Sequence, residues 1–185
     1  MKKTEWVVLE DERIAEANAE PFVILYDRYF NRIYNYVRYR CYDAAAADDL
    51  TAQVFLKALI NIKKYNPKKA PFDAWLFSIA RNLINDFYRS KKKYNFVNID
   101  DVEHILVRPN RPLEEISEKK DEKYRLLNKL ETLSPRHRDI IALKFGAGMT
   151  NRKIARLTGL TEQNVGVILH RGVNKLRKLM EEEEC

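Results

Sequence analysis

The segment TNRKIARLTGLTEQNVGVILHRGVNKL, residues 150–176, contains the most informative pattern in the chain. It contains two amphipathic segments whose apolar residues recur at helical spacing, and their separation is that of a helix-turn-helix. Thr150 and Thr161 stand where the two helices would be capped. Ala155 is small enough to let the helices cross closely, and Gly159 supplies the backbone freedom that the tight turn needs. We therefore expect two short helices joined by a sharp turn.

The second of these helices has an apolar side and a polar side. Val165 and Ile168 are expected to hold the apolar side against the first helix, which leaves the polar side free to enter a DNA major groove. Arg171 and Lys175 would then contact phosphates. A helical hairpin used only for packing is the alternative. The expected reading face consists of Thr161, Glu162, Gln163, Asn164, Val167, Arg171 and Lys175.

Helical spacing continues through most of the chain. Three apolar stripes run through residues 22–37, 50–62 and 72–87, and further helices are expected at about 124–133 and 135–145. With only 5 glycines and 6 prolines, an all-β chain rich in turns is excluded. The prediction is an all-α protein with two small helical domains joined by a linker, the C-terminal one containing the helix-turn-helix. We expect an N-terminal extension at 1–19, a helical domain at 20–95, a linker at 96–122 and a helix-turn-helix domain at 123–185.

Charge is distributed in blocks. Residues 57–93 carry ten basic and two acidic side chains, and residues 134–178 carry the same numbers. Residues 100–122, between them, carry four basic and eight acidic side chains. With a formal net charge of +7, a polyanion is the first partner to expect, although two ordinary solvated helical surfaces would give the same pattern.

Other classes of protein find little support in the sequence. Two cysteines, Cys41 and Cys185, provide neither a disulfide framework nor a metal set, which fits a reducing cytoplasm. We expect no cofactor, no metal, no signal peptide and no membrane insertion. The three histidines are scattered, and phosphate-binding glycine motifs are absent, so we expect no enzyme. A purely protein-binding helical scaffold would leave the second basic block unexplained.

Aromatic side chains also lie in and beside the first basic block, residues 57–93. The helix predicted at 72–87 has a polar face that includes Arg81 and Arg89, and a lysine-rich loop precedes it. Cations next to aromatic platforms suit unstacked nucleic-acid bases. Core packing is the favoured explanation for Phe72 and Trp75, whereas Tyr65, in the loop, is the better candidate for stacking.

Three stretches resemble one family. FDAWLFSIARNLINDFYR, residues 72–89, looks like region 2 of the extracytoplasmic-function (ECF) sigma factors, and DDLTAQVFLKA, residues 48–58, looks like the segment just before it. LSPRHR, residues 133–138, together with the helix-turn-helix, resembles region 4. The resemblance covers about 20–94 and 124–179 in the right order.

The resemblance implies a bacterial transcription initiation factor that works within RNA polymerase. Region 2 of such proteins binds the clamp of the β′ subunit, melts the −10 element and captures an extruded base. Region 4 reads the −35 element and sits on the β flap. The partners it implies are core RNA polymerase, promoter DNA and an anti-sigma factor, in the cytoplasm. A stand-alone helix-turn-helix repressor or activator is the alternative, and it would need a ligand pocket or dimer seam in place of a melting surface.

Carried over by position, the resemblance assigns three sets of residues. Those expected to bind polymerase are Asp48, Asp49, Gln53 and Phe55. Those expected to bind or melt the −10 element are Lys63, Lys64, Tyr65, Asn66, Arg81, Asn82, Asn85, Asp86, Arg89, Lys91 and Lys92. The reading face named above is assigned to the −35 element.

The chain departs from the family pattern at three places. Ala52-Gln53 stands where Gln-Glu is usual, which removes one acidic contact to the clamp. Lys153 replaces a usual glutamate, and Gly166 and Val167 replace residues that are often polar or basic.

Overall fold

The computed structural model describes residues 19–41, 43–95 and 118–182, and all regular structure within them is helical. A 3-10 turn, Ile62–Lys64, follows the second helix, and a π-helical turn, Ala142–Gly146, follows the fifth. The prediction of an all-α chain is confirmed. The α-helices of the described residues are α1 (Ala19–Arg40), α2 (Ala44–Asn61), α3 (Phe72–Asn95), α4 (Glu118–Glu131), α5 (Pro135–Ile141), α6 (Asn151–Thr158) and α7 (Glu162–Glu181).

Helices α1 to α3 form the N-terminal unit. Their apolar stripes face one another, and Ile33, Val54 and Ile84, one from each helix, are fully buried. The Asp43 side chain caps α2 by accepting hydrogen bonds from the backbone of Ala45 and Ala46. The three stripes read from the sequence therefore build one small core.

Helices α4 to α7 form the C-terminal unit, and its local features follow the sequence closely. Thr150 and Thr161 cap α6 and α7 through their hydroxyl groups, and Ser134 caps α5 ahead of a proline. Gly159 ends α6 with a φ of 73°, a left-handed conformation that side chains disfavour. The predicted helix-turn-helix is confirmed.

Two element boundaries differ from the prediction. Helix α4 begins at Glu118, six residues before the expected start at 124, because its first turns are polar and carry no apolar period. Its first residues therefore lie within the expected linker. The helix expected at 135–145 ends at Ile141 and widens into the π-helical turn.

The two units pack directly against each other, and we call their interface the seam. At its centre the backbone of the π-helical turn lies on α1. A Cβ atom built on Gly146 would stand 3.0 Å from the carbonyl oxygen of Asn35 and 3.1 Å from the amide nitrogen of Tyr36. Glycine is favoured there because any side chain would force one of the two backbones to move by a few tenths of an ångström. No helix in the described part of the chain is long and apolar enough to cross a membrane.

Candidate nucleic-acid and polymerase surfaces

The expected reading face is open on the outside of α7. Val165 and Leu169, on the opposite side of the helix, are buried against the rest of the C-terminal unit. The hydroxyl group of Thr161 accepts a hydrogen bond from the amide of Asn164 at 3.2 Å, which fixes the first turn. This geometry would present the N-terminal turn and the two cations to DNA. All seven residues of the face are exposed, namely Thr161, Glu162, Gln163, Asn164, Val167, Arg171 and Lys175.

A second polar surface follows α3. Arg89 forms an exposed ion pair with Asp86 at 3.2 Å, and Lys91 lies over the ring of Phe87 at 4.8 Å. Such surface pairs contribute little to stability, so these groups are available to another partner. Lys92 belongs to α3, but its side chain lies outside the described part. The exposed members of this surface are Asn82, Asn85, Asp86, Arg89 and Lys91.

The loop before α3 supplies the other residues expected at the −10 element. Lys63, Lys64 and Asn66 are exposed. Tyr65 differs from its expected role as a free stacking platform, because it is half-buried. Its hydroxyl group donates to the carbonyl oxygen of Ala70 at 3.2 Å, and its ring packs 5.2 Å from that of Trp75. This loop, α3 and α6 together enclose a cavity of about 470 Å³.

The outer side of α2 is acidic at its start and apolar at its end. Asp48, Asp49 and Gln53, all expected to bind polymerase, are exposed. Leu56 and Ile60 continue the same face and are 58% and 68% exposed. Large apolar side chains so exposed on one face are typical of a protein-binding surface.

Phe55 does not belong to that surface. It is 5% exposed, and its ring packs against Phe22, Tyr26 and Phe30 of α1. Its expected contact with polymerase is therefore corrected to a role in the core. Successive helical residues point about 100° apart, so the exposed apolar position is the next one, Leu56.

Several α3 residues are expected to bind the −10 element. Among their described side chains, only that of Arg81 forms hydrogen bonds across the seam. Its Nε atom donates to Asp139 of α5 at 2.8 Å, and its Nη1 atom donates to the carbonyl oxygen of Leu157 at 3.4 Å. Asn85, exposed at the edge of the seam, accepts a hydrogen bond from Arg40 at 3.1 Å. No local sequence signal marked these pairings.

Comparison with known proteins places both units in one family. Residues 25–94 match Sigma-70 region 2, and residues 130–178 match Sigma-70 region 4. The ECF RNA polymerase sigma factor BldN of Streptomyces coelicolor is 30% identical over 172 residues, which cover 93% of this chain and 65% of BldN. SigL of Mycobacterium tuberculosis, also an ECF sigma factor, is 29% identical over 168 residues, covering 91% of this chain and 93% of SigL.

A solved structure shares the fold. The sigma factor RpoE of Bartonella quintana, in complex with the anti-sigma factor NepR, matches with a TM-score of 0.67 at 20% identity, covering 88% of this chain and 98% of RpoE. The chain thus has two helical units, of which one carries an exposed helix-turn-helix and the other a cationic helix face. The chain belongs to the sigma-70 family and is an RNA polymerase sigma factor of the ECF type. Its partners are core RNA polymerase and promoter DNA.

Proposed function

We propose that the chain directs promoter-specific initiation through three surfaces that it carries at once. The outer side of α2 binds the polymerase clamp, the α3 surface and its preceding loop bind and melt the −10 element, and α7 reads the −35 element. The observation that carries this proposal is the exposure of all seven residues of the reading face, together with a separate cationic face on α3. A stand-alone repressor or activator would leave the α3 face and the α2 surface without a role.

The remaining assignments follow from this proposal. The protein has no catalytic activity of its own and works in the cytoplasm, where the polymerase is. Residues 1–19 are an extension whose last residue begins α1, 20–95 are the region 2 domain, 96–122 the linker, whose end forms the first turn of α4, and 123–185 the region 4 domain. Support comes from the two family matches, which fall inside the two domains. An anti-sigma factor is its proposed inhibitor, since the RpoE fold was solved with one.

The deciding experiment is transcription from a promoter fragment with purified core polymerase. We expect promoter-specific transcripts only when the chain and the core enzyme are both present, and weak DNA binding by the chain alone. Two small DNA-binding units on one linker gain specificity when a scaffold fixes their spacing. Tight, specific footprinting by the isolated chain would instead support the stand-alone regulator.

Changing Leu56 to Asp should weaken binding to core polymerase by at least about tenfold, because a charge replaces an apolar side chain that the interface would bury. Titration of labelled core enzyme with the chain measures this affinity. Val167→Asp is the matched control, since Val167 is also apolar and 48% exposed but lies on the reading face. Equal losses of core affinity in the two variants would contradict the assignment of α2.

On α7, Arg171→Ala should lower DNA affinity in general, whereas Gln163→Ala should change which −35 sequences are preferred. Arg171 is placed for phosphate, so its loss should weaken binding to all −35 sequences alike and reduce the salt dependence by about one unit. Gln163 is placed for a base edge, so its loss should relax discrimination at one base pair, by about 1–3 kcal/mol if the contact is bidentate. Binding of the holoenzyme to a panel of −35 variants measures both. If the two changes have the same sequence-independent effect, α7 is docked differently.

A further inference from the structure

A cavity of about 310 Å³ lies in the seam beside α5, and three arginines line it. Arg40 and Arg81 reach it from the N-terminal unit, and Arg136 reaches it from the C-terminal unit. Arginine stays protonated in proteins, so these residues bring three fixed positive charges to one cavity. Asp139 is the one acidic side chain among the described residues that line it. Three positive charges and one negative charge leave the wall with a formal surplus of two positive charges.

The carboxylate of Asp139 fixes two of these guanidinium groups without neutralising both. Asp139 is 5% exposed and accepts hydrogen bonds from Arg40 Nη1 at 2.9 Å and from Arg81 Nε at 2.8 Å. Tyr36 donates a third hydrogen bond to it at 2.7 Å. Burial and the neighbouring Asp139 raise the pKa of Tyr36 well above its usual value, so its hydroxyl group remains a donor. One negative charge is therefore shared between two cations that are held in defined positions.

Two of the arginines keep N–H donors that these contacts do not use. Arg40 is 6% exposed, and its buried Nε atom has no hydrogen-bond partner in the described part of the chain. Arg81 is bonded through Nε and Nη1, and a guanidinium group carries five N–H donors, which leaves Nη2 available. A buried donor without an acceptor costs free energy. A ligand that brings several acceptor oxygens to this cavity would therefore be favoured.

We propose that the cavity binds the terminal phosphate of a small phosphorylated metabolite of about the size of a nucleoside monophosphate. Arg40, Arg81 and Arg136 hold the phosphate oxygens, since guanidinium groups form strong, charge-assisted hydrogen bonds with phosphate. A phosphate monoester carries about −1.5 to −2 charges at neutral pH, which matches the surplus of positive charge in the wall. A phosphodiester of the DNA backbone carries a single negative charge and matches it less well.

The volume of the cavity indicates a ligand larger than a bare phosphate ion. A water molecule takes about 30 Å³ of liquid volume, so the cavity has room for about ten of them. Pockets that bind small organic ligands begin at about 300 Å³. Ile140 and Leu160 add apolar surface to the wall, against which the rest of the ligand packs. The site would make the chain responsive to the concentration of a phosphorylated metabolite.

The test measures ligand binding to the full chain by titration calorimetry, without DNA or polymerase. The probes are 5′-AMP and 5′-GMP, each compared with its 3′,5′-cyclic form at about pH 7.5, where the monoester is mostly a dianion. Base and sugar are the same within each pair, and only the phosphate differs. We expect the monoester to bind at least about tenfold more tightly than the cyclic diester. Inorganic phosphate should bind more weakly than either monoester and should compete with it.

Variants of Arg136 locate the binding site. Arg136 is exposed, so its exchange should leave the fold intact, which circular dichroism checks. Arg136→Gln should lower the affinity for the monoesters about tenfold, because a charge-assisted hydrogen bond is lost. Arg136→Lys should lose less, since it retains the charge. Arg177→Gln is the matched control, because it makes the same exchange on an exposed arginine outside the cavity, and it should bind like the wild type.

Three outcomes would overturn the inference. The first is that neither monoester binds. The second is that each binds no more tightly than its cyclic form, which would remove the preference for a terminal phosphate. The third is that Arg136→Gln binds like Arg177→Gln, which would place the ligand elsewhere on the chain. Because binding is measured on the chain alone, these outcomes are independent of promoter-specific transcription, which tests the proposed function.

Discussion

Replacing Arg81 and Arg89 together by alanine is expected to abolish opening of a duplex promoter. Unpairing and unstacking a base costs a few kcal/mol, and the two guanidinium groups are the proposed phosphate anchors that offset this cost on α3. Without them, open-complex formation should fall about a hundredfold. Permanganate reactivity of unpaired thymines at the −10 element measures it directly.

A template already mismatched across the −10 element should recover much of the activity, because the cost of unpairing has been removed beforehand. Asp139→Asn is the matched control: it also breaks the Arg81–Asp139 pair but retains both guanidinium groups, and it should open the duplex normally. The double variant should still fold, bind core polymerase and protect the −35 element. Normal opening of the duplex by the double variant would show that this face of α3 does not melt DNA.

The largest stability effect is expected at Phe77 in the core of the N-terminal unit. Its side chain is fully buried, and its ring meets that of Tyr36 edge-on at a centroid distance of 5.6 Å. Phe77→Ala should lower the free energy of unfolding by about 3–5 kcal/mol, since it removes buried apolar surface and leaves a cavity. That loss is a large part of the stability of a small domain. Chemical denaturation followed by circular dichroism measures it.

Phe145→Ala provides the comparison. Phe145 is 56% exposed on the π-helical turn, so the same chemical change should alter the free energy of unfolding by less than about 1 kcal/mol. A similar loss in the two variants would mean that Phe77 does not anchor the core as the structure indicates.

Helix caps and turns could be predicted from the sequence because each is determined by residues that are close along the chain. The caps at Thr150 and Thr161 and the left-handed turn at Gly159 each depend on a few neighbouring residues, and each was confirmed. The reading face follows from the same helical period, since placing Val165 inside leaves Gln163 and Arg171 outside.

Helix α2 shows where periodicity fails. It carries apolar residues on two faces, one packed inside the N-terminal unit and one exposed. The period places Phe55 in the apolar stripe, whereas the resemblance assigns it to the polymerase surface, and neither marks Leu56 and Ile60 as exposed. A resemblance at the level of motifs carries residue positions without their burial.

The polar contacts of the seam could not be predicted from the sequence, for a different reason. Asp139 meets Tyr36 and Arg81, from which it is separated by 103 and 58 residues. Nothing in the neighbourhood of an isolated aspartate in a basic helix specifies such distant donors. For the same reason the sequence places Arg81 and Arg89 on one polar face of α3, although Arg81 is turned toward the seam.

The backbone contact at Gly146 makes the packing of the π-helical turn on α1 sensitive to a single methyl group. A Cβ atom at this position would lie 3.0 Å from the carbonyl oxygen of Asn35, so a side chain there requires one of the two backbones to move by a few tenths of an ångström. The carbonyl oxygen of the next residue, Ala147, accepts a hydrogen bond from Arg32 of α1 at 2.9 Å and would move with that backbone. An apolar substitution at 146 would therefore also act on a polar contact between the two units, although it changes no polar group itself.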